Sequence, residues 1–146
     1  MKFAESVRKL LPGIWFGLLA AIAFIATPAA FRILDHANAG ALVRQIFTWE
    51  ASTSLVLGAL LLVIERRAGL ERHLATGASQ FTAGMMLAMG ALFCTLVGDY
   101  AMRPMMEALR TGGTAPLDFG QLHLLSTVFF GAKGLCVLAL AWKAVR

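Results

Sequence analysis

Residues Ile46–Ile64 read IFTWEASTSLVLGALLLVI, an almost unbroken apolar run with one carboxylate, Glu50, near its start. A helix that crosses about 30 Å of hydrocarbon needs about 20 such residues. Its Leu55–Val63 portion does not alternate polar and apolar residues, which excludes a transmembrane barrel strand. Three runs of similar length accompany it: Leu11–Leu34, Ala78–Ala101 and His123–Trp142. The connections are short, so neighbouring helices should be antiparallel. The expected fold is all-α, an integral membrane up-down four-helix bundle forming a single domain over residues 1–146. Composition agrees: 59% of residues are hydrophobic and 14% charged, against about 25% charged in a water-soluble domain.

The net charge of +5 does not point to nucleic acid, because the basic residues punctuate the spans and form no stripe. Lys2, Arg8, Lys9, Arg66, Arg67, Arg72, Lys143 and Arg146 fall on one side of the bilayer. Arg32, Arg44, Arg103 and Arg110 fall on the other, and Lys133 lies inside a span. Eight against four places the N- and C-termini in the cytoplasm. A multi-pass protein of the bacterial inner membrane is expected, with its first span retained rather than cleaved as a leader. Cys94 and Cys136 both lie within spans and do not form an extracellular disulfide framework.

Pro12 suits a first helical turn. Gly13, Gly17 and Ala21 form a row of small residues, and Gly90, Cys94 and Gly98 form another. Such rows allow close helix approach in lipid and are candidate homo-oligomer interfaces. Pro28 should bend the first span and free the carbonyl of Phe24. Asp35–Arg44 reads as a polar turn, and Glu65, Arg66 and Arg67 as the end of the second span. Pro104–Arg110 reads as a short amphipathic helix on the outer bilayer surface. Asp118 and Gln121 have capping-box spacing for the fourth span.

An ionisable group inside a span costs about 3 kcal/mol on insertion scales unless it is paired or wetted. This chain keeps several. Phe47, Glu50, Ser54 and Leu57 share one helical stripe, as do His123, Ser126, Phe130 and Lys133. Thr95, Asp99 and Arg103 step by four, so Asp99 can pair with Arg103. The fourth span runs downward and its side chains tilt back toward the outer face. Lys133 should therefore reach Glu50, at the floor of a polar outer vestibule. Arg32 and Arg103 can also simply snorkel to the interface, and buried polar residues can serve only to fix helix register.

His36 and His123 are expected at similar depth, with Met102 and Cys94 close to that layer in sequence. Thioether, thiolate and imidazole together suit copper or another soft metal. A haem held by His36 and His123 is an alternative. Ser126 follows His123 by three residues, but no carboxylate is placed to orient that histidine, so no catalytic constellation emerges.

Several short motifs together resemble a known family. Pro28-Ala29-Ala30-Phe31 closes the first span, Phe47 tops the second, and Pro104-Met105 follows the third. Phe119-Gly120-x-x-His123-x-x-Ser126 opens the fourth. The pattern is similar to the membrane family that includes transmembrane protein 205. That resemblance implies a small polytopic protein without an established reaction, whose eukaryotic member is associated with resistance to platinum drugs. It marks Pro28, Phe31, Pro104, His123 and Ser126. Phe130 stands where the family often carries an amide residue, one turn below the serine. Polar chemistry deep in the fourth span then rests on Lys133.

The sequence thus leads to a lipid-embedded protein that handles a small solute or metal ion from the periplasmic side, as a carrier or export accessory. Glu50, Asp99 and His123 would contact a cation, with Ser126 nearby. Lys133 and Arg103 would hold the carboxylates, and Arg32 would anchor at the interface. A structural or assembly protein and a haem- or quinone-associated redox protein are the alternatives.

Overall fold

A computed structural model describes residues 2–146, with side chains from Glu5 onward. Four long helical rods make up the chain. The first comprises α1 (Lys2–Ala21), a π-helical turn (Ile22–Ala26) and α2 (Thr27–Ile33). The second is α3 (His36–Thr76). The third comprises α4 (Ala83–Thr95), a second π-helical turn (Leu96–Ala101) and α5 (Met102–Arg110). The fourth is α6 (Phe119–Val145). All four are long and apolar enough to cross a membrane.

Pairs between the rods set their directions. Arg8 and Trp15 of α1 meet Glu65 and Ser54 of α3, so these rods are antiparallel. Thr82 meets Glu65 while Arg103 meets Thr48, which makes α3 and the third rod antiparallel. Lys133 and Lys143 of α6 meet Glu50 and Glu65, so α6 runs with α3. Each rod packs on two neighbours, with α3 and α6 on one diagonal of the bundle. Both termini lie at the Glu65 end.

The core is a band of apolar side chains that includes Trp15, Leu19, Leu61, Ala88, Val137 and Leu140. Large apolar side chains also cover the outer wall: Phe24, Ile33, Val56 and Leu135 are all exposed. Such a wall suits lipid tails and not water. The chain is a multi-pass membrane protein.

The rods are longer than the apolar runs that announce them. The expected Asp35–Arg44 turn is helical from His36 onward, and Leu34 and Asp35 alone form the corner. Asp35 caps α3 by accepting from the backbone N–H groups of Ala37 and Asn38, both at 3.1 Å. The Asn38 side chain and these amides hold its carboxyl below the usual range. At the other end α3 continues past Glu65–Arg67 to Thr76, where Gly77 closes it in the left-handed conformation. Its 41 residues extend about 61 Å, roughly twice the thickness of the hydrocarbon layer. Pro12 lies mid-helix and buried, not in a first turn.

Both π-turns sit just before a proline. Proline lacks an N–H, and its ring pushes away the carbonyl four residues back. Pro28 thereby displaces the carbonyl of Phe24, and Pro104 that of Tyr100. The preceding turn widens in response: Thr27 N–H reaches the Ile22 carbonyl and Met102 N–H that of Val97, each five residues back. Pro104 therefore does not open a separate surface helix. Residues 104–110 continue the third rod.

The glycines of the third rod face inward. A Cβ at Gly90 would meet Cys136, and one at Gly98 would meet Phe129. Gly13 and Gly17 face open space. The small row of the first rod thus lies on the outer wall, and that of the third is used within the protomer.

Candidate functional site

Glu50 and Lys133 are 2% and 1% exposed. The ammonium donates to both carboxylate oxygens, each at 2.9 Å. Because α3 and α6 are diagonal neighbours, this pair crosses the bundle axis. The Ser54 hydroxyl, one turn along from Glu50, donates to its Oε1. Trp15 Nε1 donates to Ser54 Oγ at 2.9 Å, so the first rod is tied to the same network.

The π-turn of the third rod carries Asp99 into this layer. Its Oδ2 lies 3.6 Å from Lys133 Nζ. Arg103, one turn on, donates to Asp99 Oδ1 at 2.6 Å and to Thr48 Oγ1 at 2.5 Å. Glu50, Asp99, Lys133 and Arg103 carry two charges of each sign. Every charge of this set lies within direct reach of an opposite one. That is the condition under which low-dielectric burial is tolerated.

A cavity of about 430 Å³ opens above this network, at the end away from the termini, and all four rods contribute to its wall. Asp99, Arg103, His123 and Ser126 line it. Glu50 and Lys133 do not. Phe47 and Phe130 meet edge to face at 5.3 Å and form its apolar floor. The Lys133 ammonium lies 5.0 Å from the Phe130 ring centroid. The expected vestibule exists, but its floor is aromatic and the lysine is sealed beneath. Asp99 lines the cavity and also touches the buried ammonium. A second cleft of about 580 Å³ shares Arg44, Asp99, Arg103 and Glu107 with the first.

The proposed metal set does not converge. His36 is exposed and packs on Phe31 at 5.2 Å, outside the cavity lining. His123 stacks on Phe119 at 6.3 Å. Cys94 and Met102 are buried but stand eight residues apart on one rod, about 12 Å along its axis. Among the described residues no three His, Cys, Asp or Glu side chains gather as a metal site. His123 lines the cavity and His36 does not, so the cavity does not present both histidines to a haem. Phe31 lines the cavity, Pro28 and Pro104 follow the π-turns, and Arg32 is exposed.

A second charged cluster at the termini end escaped the sequence reading. Glu65 is 4% exposed. Its carboxylate accepts from Arg8 Nε at 2.6 Å and from Thr82 Oγ1 at 3.3 Å, with Lys143 Nζ at 3.7 Å. It fills the space left by the missing side chain of Gly84. The signal was the spacing: Glu50, Ser54, Gly58, Leu61, Glu65 and Gly69 form one buried stripe of α3, and Arg66 and Arg67 fall off it. Arg44 and Thr27 were also missed as cavity residues. Had helix been read from Asp35, Arg44 would have fallen beside Phe47 and Thr48.

The sequence pattern of a family described as a domain of unknown function, DUF4149, matches residues 10–115. The match spans most of the chain, from within the first rod to beyond the end of the third, and the protein belongs to that family. No curated protein and no solved structure matches the chain.

Proposed function

We propose that this protein sits in a bacterial inner membrane with both termini cytoplasmic. Its cavity admits a small solute from the periplasm, and the protein serves as a carrier or export accessory. The orientation rests on the eight basic residues of the termini end against four at the cavity end. Kinship with the family of transmembrane protein 205 belongs to the same proposal. The carrying observation is the cavity itself, a concave space among four rods with convergent polar groups on an apolar floor. A free cation is a poor occupant, because Lys133 and Arg103 already neutralise the carboxylates. The outward-facing Gly13 and Gly17 support a homo-oligomer through the first rod.

The experiment is a thermal-unfolding screen of the purified protein against small solutes. A bound solute at a hundred times its Kd should stabilise by about 2.7 kcal/mol. In His123→Ala, where one cavity wall is cut back, that shift should disappear. A scaffold role is favoured by the sealed, charge-balanced Glu50–Lys133 pair. It predicts no shift from any solute, and that result would overturn the carrier reading.

A further inference from the structure

Donors and acceptors around the cavity are unequal. Arg44, Arg103 and Arg110 bring three guanidinium groups to its wall, against the carboxylates of Asp99 and Glu107. Both carboxylates are already engaged. Asp99 is held by Arg103 and Lys133, and Glu107 lies 3.9 Å from Arg110. Among the described residues, Arg44 lines both clefts with no acidic partner.

The hydroxyls repeat the imbalance. Thr27 Oγ1 is buried in the structure without a hydrogen-bond partner, and Thr27 lines this cavity. A buried hydroxyl left unsatisfied is unfavourable, so an occupant that accepts from it is favoured. The Ser126 hydroxyl is a further donor on the same wall. Phe47 and Phe130 form the floor below the polar groups, and Phe31 and Met106 add apolar surface higher on the wall.

The geometry points to an amphiphilic anion as the ligand of this cavity: a phosphate or carboxylate head met by Arg44 with the Thr27 and Ser126 hydroxyls, and an apolar tail on the aromatic floor. This inference rests on the solute-handling reading and names its substrate class. A guanidinium with no internal partner gains most from a bound anion, because Arg forms charge-assisted hydrogen bonds to phosphate and carboxylate. A cationic head would meet Arg44 and Arg103 and be repelled. The same chemistry is offered by an anionic lipid of the surrounding bilayer and by a free amphiphile from the periplasm.

The test uses the full chain in a neutral maltoside detergent, with thermal unfolding as the readout. Dodecyl phosphate should raise the midpoint saturably. Dodecyltrimethylammonium, with the same tail, and inorganic phosphate, with the same head, should not. Arg44→Gln should weaken the apparent affinity for dodecyl phosphate at least about tenfold, the loss of one charge-assisted contact. Arg66→Gln, at the far end of the bundle, should leave it unchanged. Thr27→Val keeps the side-chain shape and should weaken binding without any change of charge. Discs of phosphatidylglycerol that reduce dodecyl phosphate binding relative to discs of phosphatidylcholine identify a lipid source, and equal binding in both identifies a free amphiphile. An equal shift from the cationic amphiphile, a full shift from inorganic phosphate alone, or a shift indifferent to Arg44→Gln would overturn the inference. A neutral solute that shifts stability in a His123-dependent way would overturn it while the solute-handling reading stands.

Discussion

Lys133→Met should leave the protein unable to accumulate in membranes at normal levels, and Glu50→Gln/Lys133→Met should restore it. The single change removes the ammonium that donates to both oxygens of Glu50. It leaves a carboxylate that is 2% exposed with only the Ser54 hydroxyl beside it. Breaking a buried pair from one side costs roughly 3–5 kcal/mol, and replacing both partners by neutral groups of similar volume is often close to neutral. Gln at position 50 keeps an acceptor for Ser54, and Met at position 133 keeps the length of the lysine stem. Asp99 retains Arg103 at 2.6 Å in either variant. Membrane yield and denaturant unfolding of the two singles and the double form a double-mutant cycle. The expected signature is a large coupling energy, with the double variant more stable than either single. Additive losses would mean that the two groups do not depend on each other.

Gly69→Ala and Gly17→Ala should move stability in opposite directions. Both glycines are helical, and alanine is the better helix former by about 0.8–1 kcal/mol. At Gly17 an added methyl meets nothing within 4 Å, so the propensity gain should appear in full. At Gly69 it would press into the backbone carbonyl oxygen of Gln80, closer than real Cβ atoms approach, and would also crowd Thr82 Cγ2 at 3.1 Å. A backbone oxygen cannot rotate aside as a side chain can. The 77–82 connection must shift, taking with it Thr82, which caps α4 and donates to Glu65. Overpacking of this kind costs about 1–3 kcal/mol or more, which outweighs the propensity gain. Thermal unfolding of the purified protomer reads both. In the proposed homo-oligomer, where this face meets a second copy, Gly17→Ala should lose stability instead, so the gain is expected of the isolated protomer alone.

How much of this was legible beforehand depends on the range of the interaction. The four spans follow from local composition. The Asp99–Arg103 pair and the Asp118–Gln121 capping box follow from spacing along one helix. Glu50–Lys133 needed only one more step, the tilt of side chains toward a helix N-terminus. Helix ends were misplaced because hydropathy reports where lipid stops, while backbone hydrogen bonding continues into the polar layers. Hydropathy therefore reads Asp35–Arg44 as a turn and Glu65–Arg67 as a terminus, where the structure has continuous helix from His36 onward. The π-turns were half visible in Pro28 and Pro104, but the sequence does not say whether a freed carbonyl is met by a bend or by a widened turn. The Glu65 cluster and the Phe47–Phe130 floor depend on which faces of separate rods meet. No single-helix pattern contains that information. His36 was grouped with His123 by depth alone, and depth does not decide facing.

The proposed function requires that the cleft above the sealed ion pair open to the periplasm. Its most direct measurement is thiol labelling of Ser126→Cys in intact cells, in a Cys94→Ala/Cys136→Ala background, with a membrane-impermeant maleimide. Val137→Cys, at a fully buried core position, serves as the silent control. The predicted result is rapid labelling of position 126 from outside the cell and none at position 137. A position 126 that stays unreactive until the membrane is dissolved, or reacts only from the cytoplasmic face, would contradict the account.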